Sequence, residues 1–122
     1  MAIPSGSGTE VLKAVYMHAL TNSVKTLISG DANKIRTVLS VIFTEMDGNA
    51  ESINMYIDAG YADVASASST DIYLLHLAPL GERETFVYND RFVVYGLDAL
   101  KVDVPAGGNI DVHCSFIEQD WT

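Results

Sequence analysis

The segment Leu97-Asp98-Ala99-Leu100-Lys101-Val102-Asp103-Val104-Pro105-Ala106-Gly107-Gly108-Asn109-Ile110-Asp111-Val112-His113-Cys114-Ser115-Phe116-Ile117 has the clearest pattern in the chain. Leu100, Val102 and Val104 alternate with Lys101 and Asp103. After the interruption at 105–109, Ile110, Val112, Cys114 and Phe116 alternate with Asp111, His113 and Ser115. Successive side chains of a strand point to opposite faces, so each half has one apolar and one polar face. Glycine tolerates the positive backbone angles of a bend, and Pro105 has no N–H to continue a ladder. The pattern predicts a β-hairpin covering a core, and the rest of the chain must supply the sheet that buries its apolar side.

Working outward, Thr85–Tyr88 and Arg91–Tyr95 flank Asn89-Asp90, a two-residue connection suited to a tight hairpin. Ile72–Leu77 is a strand ended by Pro79 and Gly81, and the small, polar stretch from Gly60 to Asp71 is an exposed loop. Ile53, Met55 and Ile57 alternate with Asn54, Tyr56 and Asp58, which predicts a half-buried strand after the turn at Asp47-Gly48-Asn49. Ile35 to Glu45 is apolar on both faces, with Ile35, Leu39, Val41 and Phe43 on one and Val38 and Ile42 on the other. That predicts a central strand covered on both sides, or one with a side buried in a subunit contact. Thr9–Leu20 has both helical and strand spacing, and the turn Thr21-Asn22-Ser23 before Val24–Ile28 favours two strands of a long hairpin. Residues 1–8 form a glycine-rich arm with Ile3 as its apolar anchor, and residues 119–122 a tail. The expected fold is all-β: a single antiparallel β-sandwich over 9–118, jelly-roll-like, with about eight or nine strands.

At 122 residues the chain is long enough for one core. Sixteen acidic residues against seven basic ones give a net charge of −9, which repels phosphate backbones, so no nucleic-acid partner is expected. The N-terminal octet lacks the basic region and apolar run of a signal peptide, and no apolar segment approaches the roughly 20 residues needed to cross a bilayer. No membrane partner is expected, and synthesis in a cytoplasm is. Cys114 is the single cysteine, so a disulfide-stapled module is excluded, and its place beside Val112 and Phe116 predicts a buried, inert thiol.

No catalytic motif stands out. Serines are plentiful, but none sits in a Gly-x-Ser-x-Gly elbow, and Gly6-Ser7-Gly8 is not placed between a strand and a helix. His18, His76 and His113 fall on three separate strands without ligand spacing. Glu45, Asp47 and Glu51 surround a turn containing Asn49, an oxygen-rich setting that suits calcium but lacks the ligand spacing of a calcium loop, and a solvated turn is expected. Neither enzymatic activity nor a cofactor or metal is expected. Tyrosine and tryptophan are enriched at interface centres, which singles out Tyr56, on the face opposite Ile53, Met55 and Ile57, and Trp121 in the tail. Ile3, Pro4 and Val11 join them as candidate partner contacts, because an extended segment over residues 2–12 could add a strand to a neighbour's sheet edge.

The phrases Tyr73-Leu74-Leu75, Glu84-Thr85-Phe86-Val87-Tyr88-Asn89-Asp90-Arg91-Phe92-Val93-Val94, Leu97-Asp98-Ala99-Leu100-Lys101-Val102 and Gly108-Asn109-Ile110-Asp111-Val112-His113-Cys114-Ser115-Phe116-Ile117-Glu118 resemble the small β-sandwich virion proteins of tailed bacteriophages. The opening Ile3-Pro4-Ser5-Gly6-Ser7-Gly8-Thr9-Glu10-Val11-Leu12 adds to the likeness. The resemblance implies a structural virion protein: a homotrimeric capsid decoration, or cement, protein that binds the major capsid protein on the outer head surface. The alternative in the same group is a tail- or fibre-associated sandwich for attachment to host glycans. It implies no catalytic residue.

Overall fold

The computed structural model describes residues 9–59 and 71–120, and in it the chain pairs with itself as one long antiparallel ribbon. Thr9 lies opposite Asp120, Lys25 opposite Val102, Ile35 opposite Tyr95, Val41 opposite Tyr88, Glu51 opposite Leu80 and Asp58 opposite Asp71, each pair nested inside the one before. Among the described residues nine strands carry this ribbon: β1 (Thr9–Leu20), β2 (Lys25–Ile28), β3 (Lys34–Glu45), β4 (Glu51–Asp58), β5 (Asp71–Leu80), β6 (Thr85–Tyr88), β7 (Phe92–Tyr95), β8 (Ala99–Asp103) and β9 (Ile110–Asp120). Folding the ribbon over on itself creates two further antiparallel contacts, β9 with β3 and β8 with β4. One sheet then has the order β1-β9-β3 with β6 and β7 both on the outer edge of β3, and the other has β2-β8-β4-β5. This is the strand order of a jelly roll, two sheets packed face to face.

The inner faces meet in one core. Val38, Val41, Phe43, Val112, Cys114 and Phe116 face it from the first sheet, Ile53, Met55, Leu100 and Val102 from the second. Leu100 and Val102, and then Ile110, Val112 and Cys114, are buried as their alternation requires. Their connection, however, is corrected. β8 and β9 do not pair with each other; they sit in opposite sheets, and residues 104–109 arch between them. Alternation reports which side chains are buried, and in a sandwich two consecutive strands can bury them against the same core from opposite sides. Gly108 serves that arch: its φ is +147°, and a side chain there would overlap the Glu51 carboxylate.

The same correction applies at two other places. β1 and β2 are not a hairpin, since β1 pairs with β9 and β2 with β8. β6 and β7 are not one either: both run antiparallel to β3, end to end along the same edge, with the chain breaking step at 89–91. β3 is central as expected but covered on its inner side only. A register shift between Val38 and Ser40 places Leu39 as an extra residue, so Val38 and Val41 both point inward and Ile35 and Leu39 do not share the face of Phe43. Gln119 and Asp120, expected in the tail, complete β9 against Glu10 and Thr9. The expected N-terminal arm, and the 60–71 loop apart from Asp71, lie outside the described residues.

Phe43 is fully buried with its ring against Phe86. Phe43→Ala should therefore cost about 3–5 kcal/mol, whereas Val93→Ala on the outer side of the same sheet should stay within about 0.5 kcal/mol. Urea denaturation of the two variants measures the contrast.

Candidate functional site

Among the described residues, the outer face of the five-stranded sheet carries none of the candidate contact residues named from sequence. Its residues are the ones that alternate with the core. Leu12, Ala14, Tyr16 and His18 project from β1, and Val15 and Met17 pack inward. Across the strands one row runs Leu12, Ile117, Thr37, Val93, and a second runs Tyr16, His113, Ile42, Val87. Leu12 is 71% exposed and Tyr16 72%, and Val87 and Val93 are exposed at the far edge. A sheet of this kind ordinarily carries polar residues on its wet side, so two rows rich in apolar side chains there make this face the candidate contact surface. The signal was present in the sequence: Ile35–Glu45 is apolar on both faces, and so is Thr9–Leu20.

The second row has a defined geometry. The Tyr16 ring stacks on the His113 imidazole with centroids 5.8 Å apart and planes 6° from parallel. His18 Nδ1 lies 2.7 Å from Asp111 Oδ1. Together with Ile42 and Thr44 these side chains line a shallow groove of about 330 Å³. His76 lies in the other sheet, against Tyr73, so the three histidines do not converge.

The candidate contacts named from sequence are dispersed. Val11 is on the inner side of β1 but exposed, since it lies beyond the Val15 and Met17 that reach the core. Tyr56 is on the outer face of the four-stranded sheet as expected, yet it is only 7% exposed. Tyr73 of β5, directly opposite in register, covers it with ring centroids 5.0 Å apart. The exposure expected of Tyr56 thus belongs to Tyr73, because a cross-strand neighbour hides one aromatic under another. Ile3, Pro4 and Trp121 lie outside the described residues.

At one end of the sandwich, Glu45, Asp47 and Glu51 bring carboxylate oxygens within 4.8 Å of one another, a spacing compatible with a metal ion. Glu45 is already engaged: its Oε1 accepts from the Asp47 N–H (2.9 Å) and its Oε2 from the N–H groups of Gly48 (2.9 Å) and Arg83 (2.7 Å). It therefore ties the 46–50 turn to the 81–84 turn. Burial alone would raise its pKa, but a proton shared with the Asp47 carboxyl and the bonds accepted from the Arg83, Asp47 and Gly48 N–H groups outweigh that and hold it at about 2. Glu51 is pushed the other way, chiefly by burial and then by the nearby Asp47 and Glu45 charges, against the opposing bond from the Asn109 N–H.

A carboxyl group with a depressed native pKa adds stability above its ordinary value that disappears as pH falls through the native one. Glu45→Gln should lower the melting temperature at neutral pH. The gap from the parent protein should close between the ordinary value of 4.5 and about 2, as a thermal-melt series across that range would record.

No protein-family model matches the chain, and no curated protein does. Solved structures similar to it include the following two. A chain of the Bacillus endospore appendages, which form disulfide-linked pili, aligns over 100% of this chain and 97% of its own at 13% identity, with a TM-score of 0.51. A chain from the acid-stable capsid of Helicobacter pylori bacteriophage KHP30 aligns over 95% of each chain at 10% identity, with a TM-score of 0.49. The appendage likeness shows that a complete solved chain adopts this fold.

Proposed function

We propose that this chain is a structural subunit of a bacteriophage virion, a decoration protein that binds the outer head surface and stabilises the shell without performing chemistry. The observation that carries the reading is the outer face of the five-stranded sheet, where Leu12, Tyr16, Ile42, Val87 and Val93 stand in two rows across an otherwise regular sandwich. Burying such rows against another protein gains roughly 25 cal/mol per Å² of apolar area removed from water. The acidic surface around them suits basic patches of a shell. Many weak contacts repeated over a lattice add up through avidity.

The Bacillus appendage protein is a component of a polymer too, but one described as disulfide-linked. Here the single cysteine, Cys114, is fully buried between the sheets and its pKa is pushed up to about 12 by that burial. A covalent link through it would require opening the core, which favours non-covalent assembly. One observation favours the alternative of a tail- or fibre-associated glycan-binding module. Tyr16, a wall of the groove beside His18 and Asp111, offers the kind of ring on which a sugar stacks.

Purified protein mixed with expanded phage heads lacking decoration should co-sediment with them. Val87→Glu with Val93→Glu should abolish that association while leaving the circular dichroism spectrum unchanged. Absence of binding to heads, together with glycan-array binding lost in Tyr16→Ala, would replace this reading with the alternative.

A further inference from the structure

Four sheet edges are available in a jelly roll, and three of them here are blunted. β2 is four residues long. The edge formed by β6 and β7 is interrupted at 89–91. β5 has two register shifts against β4, carries Leu77 at a φ of 52° held by the Asn54 Oδ1, which accepts its N–H at 2.8 Å, and contains Pro79. Short length, breaks, bulges and proline are the devices by which an edge is kept from pairing with another chain. β1 has almost none of them. It runs twelve residues, pairs without a register shift from Thr9 to Met17, and contains no glycine or proline. Its one inward charge, Lys13, is neutralised by Glu118 at 2.7 Å.

From this contrast we infer that β1 is an edge built to pair with β1 of a second copy of this chain, antiparallel about a twofold axis through Ala14. In such a pair the residues opposite each other must share a face, which restricts the register. With Ala14 on the axis, Leu12 faces Tyr16 of the second copy, and Val11 faces Met17. Glu10 faces His18, a carboxylate opposite an imidazole whose Nδ1 is held by Asp111. The smallest side chain of the segment sits where two copies approach symmetrically, and the two most exposed apolar side chains of β1 cover each other. Moving the axis by one residue towards the N-terminus would set Lys13 against Lys13. Moving it the other way would draw more of the pairing into the register shift between Met17 and Leu20. The two five-stranded sheets would then join into one continuous sheet whose outer apolar rows run on from copy to copy. In place of the threefold implied by the phage resemblance, this edge calls for a twofold.

Sedimentation velocity on the full chain should show a dimer that Ala14→Lys converts to monomer, with the dissociation constant raised at least about tenfold, roughly 1.4 kcal/mol. Ala14→Cys should form an intermolecular disulfide under mild oxidation, and Leu12→Cys, displaced from its own copy in this register, should not. A chain that stays monomeric at every soluble concentration, a trimer, or a dimer unaffected by Ala14→Lys would overturn the inference. Because head binding is read separately and through Val87 and Val93 on the opposite edge, loss of this pairing and loss of the decoration role are distinguishable.

Discussion

Everything in this molecule depends on the burial of two sheet faces against each other. Phe43, Val41 and Val38 on β3 and Val112, Cys114 and Phe116 on β9 can leave water only if Ile53, Met55, Leu100 and Val102 of the other sheet come down on them. The long antiparallel ribbon achieves this by crossing from one sheet to the other at most of its connections. Each crossing turns two sequence-adjacent strands into facing layers. Buried polar groups support the geometry at its ends. Arg36, almost wholly buried, donates from its guanidinium to the backbone carbonyls of Gly96 (3.1 Å) and Asp98 (3.3 Å), and Glu45 ties together two turns at the other end of β3. Both depend on charge-assisted bonds to backbone groups, which are stronger than neutral ones.

The strands and the inward residues were legible in the sequence because period-two alternation depends on local chemistry alone. Leu100, Val102, Val112 and Cys114 are core residues on that basis, and nine strands form among the described residues. Partner choice was not legible. Tight-turn signals at Asn89-Asp90 and at Gly107-Gly108 suggest hairpins, yet neither pair of strands hydrogen-bonds to each other, because a bend that crosses between sheets needs the same permissive residues as one that stays within a sheet. The bulge at Leu39 was equally hidden, since an added residue changes the phase of β3 without leaving a mark on composition.

The site shows the same division. Apolar residues on both faces of Ile35–Glu45 already allowed for a side buried in a subunit contact, and the structure aligns the outer ones with those of β1 into rows that only the β1-β9-β3 order could reveal. Tyr56 shows how such reasoning goes astray: the correct face was assigned, but the cross-strand partner that covers it, Tyr73, depends on a pairing broken by two register shifts. The histidines illustrate the converse, as His18 and His113 share a face with Asp111 although nearly a hundred residues of chain separate them.

On the proposed reading, this sandwich acts through the outside of its five-stranded sheet. The decisive comparison is hydrogen–deuterium exchange on the protein free and bound to expanded heads. New protection is expected in β3, β6 and β7, with β4 and β5 of the opposite sheet unchanged. Protection confined to β4 and β5, or none on either sheet in a complex that does form, would contradict it.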